Sequence, residues 1–328
     1  MPQYDAFLLL SFGGPEKPED VMPFLERVTR GRNIPRARLE EVAGHYYHFG
    51  GRSPINDQCR ALISALRPHL DLPIYWGNRN WHPFIEDTMR RMMEDGVERA
   101  LVFVTSAYSS YSACRQYLED IERARAAAGP LAPQCDKIRH FHNHPGFIEV
   151  NADRLREQLA LAGPAPVLFT AHSIPLEMAR TSRYVEQLEE TARLVAEAAG
   201  VSQYRLVYQS RSGPPHQPWL GPDILEALDE TRAAGAEAVV VAPIGFISDH
   251  MEVLYDLDCE AQQHAAQIGL KMFRAGTAGT HPRFIRMIVE LVEERRRDFA
   301  WAEPCHQLCC PAPVRIPPAS PHASPRTM

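Results

Sequence analysis

Nowhere in the 328 residues does an apolar run approach the roughly 20 needed for a bilayer-spanning helix; the longest, Ala6–Leu10 and Ala238–Pro243, are strand-sized. A basic track suited to nucleic acid is also missing, since 35 basic residues stand against 41 acidic for a net charge of −6. A small-molecule partner is the expectation. Neither G-x-G-x-x-G nor G-x-x-x-x-G-K-[ST] occurs, and the Gly13-Gly14-Pro15 turn alone reads first as a structural strand-to-helix turn. No short fixed period repeats, which excludes solenoids and propellers. The seven cysteines are odd in number and four lie singly, at Cys59, Cys114, Cys135 and Cys259, so they do not form a disulfide framework. No basic start, apolar stretch and cleavage site precede the first strand, which begins by about Asp5; a cytoplasmic, reducing address is expected.

What is present is an apolar fraction of 45%, enough for one large unit or for two α/β lobes, each burying a core of its own. Runs rich in Val, Ile, Leu and Phe alternate with helical periodicity, the pattern of parallel sheets covered by helices. Strands are predicted near Ala6–Phe12, Ile74–Gly77, Arg99–Thr105, Pro166–Ala171, Tyr204–Gln209, Ala238–Pro243 and Lys271–Arg274. Helices are predicted at Pro18–Val28, Pro83–Asp95, Ser182–Ala199, Leu225–Ala234 and Pro282–Arg297, each with an apolar stripe and a charged face. Gly129, Pro130, Pro133 and Pro145 break the rhythm between Ala126 and Gly146 and mark a crossing between lobes. The expected division is 1–140, 141–300 with its last helix able to pack on the first lobe, and a tail at 301–328 that is disordered beyond about 311.

Three patches at predicted strand ends carry chemistry, where open α/β sheets place their ligands. In Thr170-Ala171-His172-Ser173-Ile174-Pro175 a strand runs into a histidine; alone, such a residue is more often a structural hydrogen-bonding group. In the second, a helix capped by Ser248 or Asp249 carries Glu252, Asp256 and Glu260 four apart, one acidic row beside apolar Val253, Leu254 and Leu257. Like charges at this spacing repel, so the row is either well solvated or kept for cations and protons. His250, two residues from Glu252, would point elsewhere and read as supporting. The third, Thr105 to Ser112 with Arg115 and Tyr117, is dense in hydroxyls that suit a polar ligand or simply a turn. Upstream, Tyr46, Tyr47, Phe49, Gly50, Gly51 and Arg52 would serve a flat ligand bearing carboxylates.

Taken in order, Ser11-Phe12-Gly13-Gly14-Pro15, Gly50-Gly51-Arg52-Ser53-Pro54, Ala171-His172-Ser173-Ile174-Pro175 and Asp249-His250-Met251-Glu252-Val253-Leu254-Tyr255-Asp256 resemble the ferrochelatases. Gln209–Gly213 and Pro218–Asp223 extend the likeness from about residue 5 to 297. The resemblance implies two Rossmann-like lobes around a porphyrin cleft, with His172 and Glu252 as the iron-site pair. It also implies Ser53 and Tyr117 as contacts to porphyrin carboxylates, with Arg30 nearby, and Asp256 and Glu260 as a path for protons or metal. Phe12 stands where some members carry tyrosine; it cannot ligate, so that face is expected to be an apolar contact. Neutral His172 can accept a pyrrole proton while Glu252 binds the cation or passes the proton on.

Cys305-x-x-x-Cys309-Cys310 resembles the tail of those members that carry a [2Fe–2S] cluster, and the resemblance supplies Cys135 as the fourth ligand. Four thiolates would equally satisfy zinc, and a loose tail of thiols is the plain alternative. The likeness is to coproporphyrin III ferrochelatases of Gram-positive, actinobacterial type, which implies that the substrates are Fe²⁺ and coproporphyrin III, with protoporphyrin IX next. Rival readings are a cobalt or sirohydrochlorin chelatase, and a haem or metal carrier without turnover.

Overall fold

Residues 3–31, 34–212, 217–297 and 309–312 are described, from a computed structural model. Most of the 301–328 tail, including Cys305, therefore lies outside the described residues.

Among the described residues, eight strands form two parallel sheets. The first contains β1 (Ala6–Ser11), β2 (Ile74–Asn78), β3 (Arg99–Val104) and β4 (Gln134–Lys137), in the order β2-β1-β3-β4. The second contains β5 (Val167–His172), β6 (Tyr204–Gln209), β7 (Ala238–Ala242) and β8 (Lys271–Arg274), in the equivalent order β6-β5-β7-β8. The same winding thus occurs twice, and each sheet has a switch point where its order reverses: between β1 and β3, and between β5 and β7. Ligands of such sheets sit outside the carboxyl ends of the strands at that point, which here means beside Ser11 and Thr105 in one lobe and beside His172 and Pro243 in the other.

β1 is buried along its whole length, as an apolar run in a doubly covered sheet must be. Its side chains alternate between faces: Leu8 and Leu10 meet Met89 and Ile121, while Phe7 and Leu9 face a cluster that includes Phe103 and Phe141. Each lobe has a core of its own, and that second cluster joins them, because it continues into Ala171, Tyr208 and Ile247 of the other lobe. The hydroxyl-rich segment after β3 contributes two of its residues, Tyr108 and Ser109, to this junction. The Tyr108 hydroxyl donates to the Ile244 carbonyl at 2.8 Å, and the Gln187 side chain accepts from the Ser109 amide at 2.7 Å.

Several elements differ from the sequence reading. The presumed crossing contains β4, whose Gln-Cys-Asp-Lys has no apolar pattern; pairing with β3 and the Arg99–Asp136 bond at 2.7 Å hold it. Helices Arg36–His48, Ile55–Leu66, Gln116–Ala128 and Pro145–Ala162 were not anticipated. The first buries little beyond Leu39 and Ala43, which leaves a faint stripe to read. The sheet of the first lobe ends at Lys137, the helix Pro145–Ala162 packs against β7, and the last helix, Pro282–Arg296, reaches back to Ile55–Leu66.

The link between the lobes holds three buried histidines. Burial keeps His140 well below the usual imidazole range, lowers His142 against the pull of Glu190, and brings His144 down to about 4. A histidine depressed on folding binds its proton more readily when unfolded, so its stabilising contribution is complete above about pH 6.5 and is lost as pH falls towards about 4. His144 Nδ1 also accepts the Gly146 amide at 3.1 Å at a helix start. His144→Asn, which keeps an N-cap acceptor, is expected to reduce the fall in melting temperature between pH 6.5 and pH 4. An unchanged fall would contradict this assignment.

Candidate active site

His172 is the last residue of β5, paired with Gln209 at the end of β6. Its Nδ1 lies within hydrogen-bonding distance of the Ser173 carbonyl. A carbonyl only accepts, so Nδ1 carries a proton, and in the neutral ring Nε2 presents a lone pair. That Nε2 stands 3.6 Å from a carboxylate oxygen of Glu252. Two donors so spaced suit one first-row divalent ion with bonds of about 2.0–2.2 Å.

The turn that delivers Glu252 depends on Gly245. A Cβ there would lie 2.6 Å from Ala171 Cα, so only glycine lets the chain after β7 cross beside His172. The helix after this turn is capped by neither Ser248 nor Asp249. His250 Nδ1 accepts the Glu252 amide at 3.2 Å, which makes His250 the cap and sets its Nε2 as the protonated nitrogen. Burial lowers the His250 pKa and so favours this neutral acceptor, with the charge of Glu252 opposing.

The regular helix expected here is a single α turn, Met251–Val253, followed by π-helix over Leu254–Ala261. Insertions of this kind concentrate at functional sites. Val253, Leu257 and Ala261 are buried, which leaves the acidic residues on the other side. The pKa of Asp256 is pushed up to about 7, chiefly by burial and further by the charges of Glu252 and Glu260, with the Ser210 hydroxyl pulling it down. Glu260 is raised by burial and by Asp223. The row therefore holds a carboxyl that exchanges protons at neutral pH.

Gln209 and Ser210 were not assigned roles from the sequence. The Gln209 amide reaches the Glu252 carbonyl and the Asp256 carboxylate at 3.4 Å each, and its Oε1 is buried with no hydrogen-bond partner among the described residues. The strand-end rule that selects His172 would have selected both.

The first lobe contributes an aromatic wall. Phe12 meets Phe24 edge-on at 6.2 Å, and Phe24 meets Tyr46 and Trp81 in the same manner. Burial, then the charge of Glu252, raises the pKa of the Tyr46 phenol, so Tyr46 faces the acidic row across the cleft. His45 stacks on Tyr255 at 3.7 Å and closes the gap further along. Phe12 is 37% exposed and Arg30 is exposed. Ser53 and Tyr117 are not brought to the cleft surface. Ser53 is buried against Gly14 and its Oγ accepts the Ile55 amide at 3.4 Å, at the start of a helix. Tyr117 packs into the first-lobe core with the Arg79 guanidinium 4.5 Å from its ring.

Among the described residues no group of three or more His, Cys, Asp or Glu gathers to hold a metal. The Arg125 guanidinium holds the Pro133 carbonyl, beside Cys135, at 2.8 Å, whereas Arg115, ten residues earlier, holds the Cys309 carbonyl at 3.0 Å. Cys114, next to Arg115 and buried, is the cysteine on the tail's side.

Two parallel sheets of matching order, with a histidine–carboxylate pair at one switch point, define a chelatase-type α/β protein. A solved sirohydrochlorin chelatase, SirB from Bacillus subtilis subspecies spizizenii in complex with cobalt, has this fold at a TM-score of 0.57 and 13% identity, covering 90% of this chain and 97% of its own. A family model for ferrochelatase matches residues 4–296. The chain is 53% identical to a ferrochelatase of Rhodopirellula baltica, covering 98% of this chain and 97% of that one. Coproporphyrin III ferrochelatases of Nocardia farcinica and Streptomyces coelicolor are each 51% identical, over 96% and 98% of this chain and 99% and 97% of theirs. The chain belongs to the ferrochelatase family.

The Ser210 hydroxyl stabilises the ionised form of Asp256. Ser210→Ala is therefore expected to raise the Asp256 pKa above about 7, read from the protonated carboxyl band in pH-titrated infrared difference spectra. An unchanged titration would contradict the assignment.

Proposed function

We propose that the protein inserts Fe²⁺ into coproporphyrin III, with His172 and Glu252 as the residues that face the reacting centre. The observation that carries this reading is the bare Nε2 of His172 opposite Glu252, backed by a carboxyl poised near neutrality. Insertion replaces two pyrrole N–H bonds by bonds to iron and releases two protons. His172 Nε2 accepts a proton from the ring, Glu252 takes it up or holds the cation, and Asp256 and Glu260 carry protons outward. The names of the relatives support coproporphyrin III as the porphyrin. Exposed Arg30 is suited to a substrate carboxylate and Phe12 to the face of a flat ring, while Ser53 and Tyr117 support the wall from behind. No helix among the described residues is long and apolar enough to cross a membrane. A cytoplasmic address fits the reduced thiols.

An anaerobic assay with Fe²⁺ and, in parallel, coproporphyrin III and protoporphyrin IX tests this. Coproporphyrin should be metallated faster, and His172→Ala and Glu252→Gln should each slow insertion by roughly 10²-fold or more. No insertion by the wild type would refute the function, and equal rates for the two porphyrins the substrate.

We also propose a [2Fe–2S] cluster on Cys305, Cys309 and Cys310, with Cys114 in place of Cys135 as the fourth thiolate. Cys309 lies against Arg115, with its Sγ 3.7 Å from the guanidinium, a cation suited to a thiolate-rich group. Half-buried Cys135 is instead turned to the Pro133 carbonyl, at 3.7 Å. The cluster ties the tail to the first lobe. Its visible absorption and its iron and sulfide content should survive Cys135→Ser and be lost in Cys114→Ser. The reverse pattern, or a colourless zinc protein, would overturn the assignment.

A further inference from the structure

The junction of the lobes holds a second cavity, of about 400 Å³, that neither His172, Glu252, Asp256 nor Phe12 lines. Its walls come from the carboxyl ends of β1 and β3, from residues 247–249 after β7, from residues 276–280 after β8, and from the helix Ile55–Leu66. It therefore sits at the first lobe's switch point, where sheets of this kind hold ligands. Its size lies within the range of small-molecule sites.

The lining has one chemical bias. Thr105, Ser248, Thr277 and Thr280 present hydroxyls, with Thr105 also bonded to buried Ser11 at 3.0 Å, and Arg154 reaches in from the helix Pro145–Ala162. Arg154 is only partly compensated: Nη1 meets Glu157 at 3.2 Å, while Nε is fully buried with no hydrogen-bond partner among the described residues. A buried, unsatisfied donor on a cation is costly unless something accepts from it. The one carboxylate in the wall, Asp249, is already engaged by Arg274 at 2.8 Å. Gly276 packs over this part of the side chain, and a Cβ there would lie 3.6 Å from Arg154 Cδ and Nε, in van der Waals contact.

We infer that this cavity binds a small organic anion, its carboxylate or phosphate oxygens on Arg154 and its polar body against the hydroxyls. An oxyanion accepting from a guanidinium is the partner that satisfies the orphaned donor. The floor is also linked to the catalytic turn, since the Gln58 amide holds the Asp249 carbonyl at 2.7 Å, one residue before His250.

Calorimetric titration of the full chain with glycerol 3-phosphate and with inorganic phosphate, at ionic strength matched with chloride, tests this. Saturable binding of at least one probe is expected, weakened about tenfold or more in Arg154→Gln. Gly276→Ala, which adds a Cβ in contact with Nε without a positive φ to strain, should weaken it with the melting temperature unchanged. Tighter binding of glycerol 3-phosphate supports an organic ligand. Tighter binding of inorganic phosphate, no saturable binding of either probe, or binding indifferent to both substitutions overturns the inference.

Discussion

The Ser173 carbonyl takes the Nδ1 proton of His172, and the geometry of the cleft follows from that bond. Ser173 cannot swing away, because its amide donates to Gln209 at 2.8 Å and its hydroxyl to Leu220 at 2.8 Å. The carbonyl direction is thus set by two neighbouring segments, and the ring follows it. With Nδ1 occupied, Nε2 is the nitrogen presented to Glu252, as a lone pair in the neutral ring. A ring held the other way would offer a donor where an acceptor is required.

The opposite side of the pair is kept at a cost. Glu252, Asp256 and Glu260 repel one another, and burial makes the middle one the most reluctant to ionise. Packing of Val253, Leu257 and Ala261 into the second-lobe core holds the helix in place despite that repulsion. The Ser210 hydroxyl and Gln209 amide then limit how far Asp256 is neutralised. The result is a carboxyl that neither holds its proton throughout nor stays ionised throughout, the property that a proton path needs. The strand end is held by neighbouring segments, and the π-helix faces it.

Much of this was legible before any coordinates. Apolar runs fixed seven of the eight strands to within about a residue at each end, since a doubly covered parallel strand has to be apolar throughout. The eighth, Gln134–Lys137, was illegible because an edge strand held by backbone pairing and one ion pair needs no apolar pattern. His172, Glu252 and Asp256 were visible through their positions at strand and helix ends. The switch from α to π geometry was not, because an extra residue in a turn leaves the apolar spacing nearly intact. The burial of Ser53 and Tyr117 was not legible for a different reason: nothing in local sequence tells which face of a helix turns inward. Cysteine count alone cannot tell which of Cys114 and Cys135 lies nearer the tail, because that is a matter of three-dimensional proximity.

The most direct measurement is the tautomer of His172 in the uncharged ring, read from long-range proton–nitrogen correlation spectra and assigned by difference with His172→Gln. The account requires a protonated Nδ1 and a bare Nε2. A proton on Nε2 would leave no acceptor facing Glu252 and would contradict the site as built.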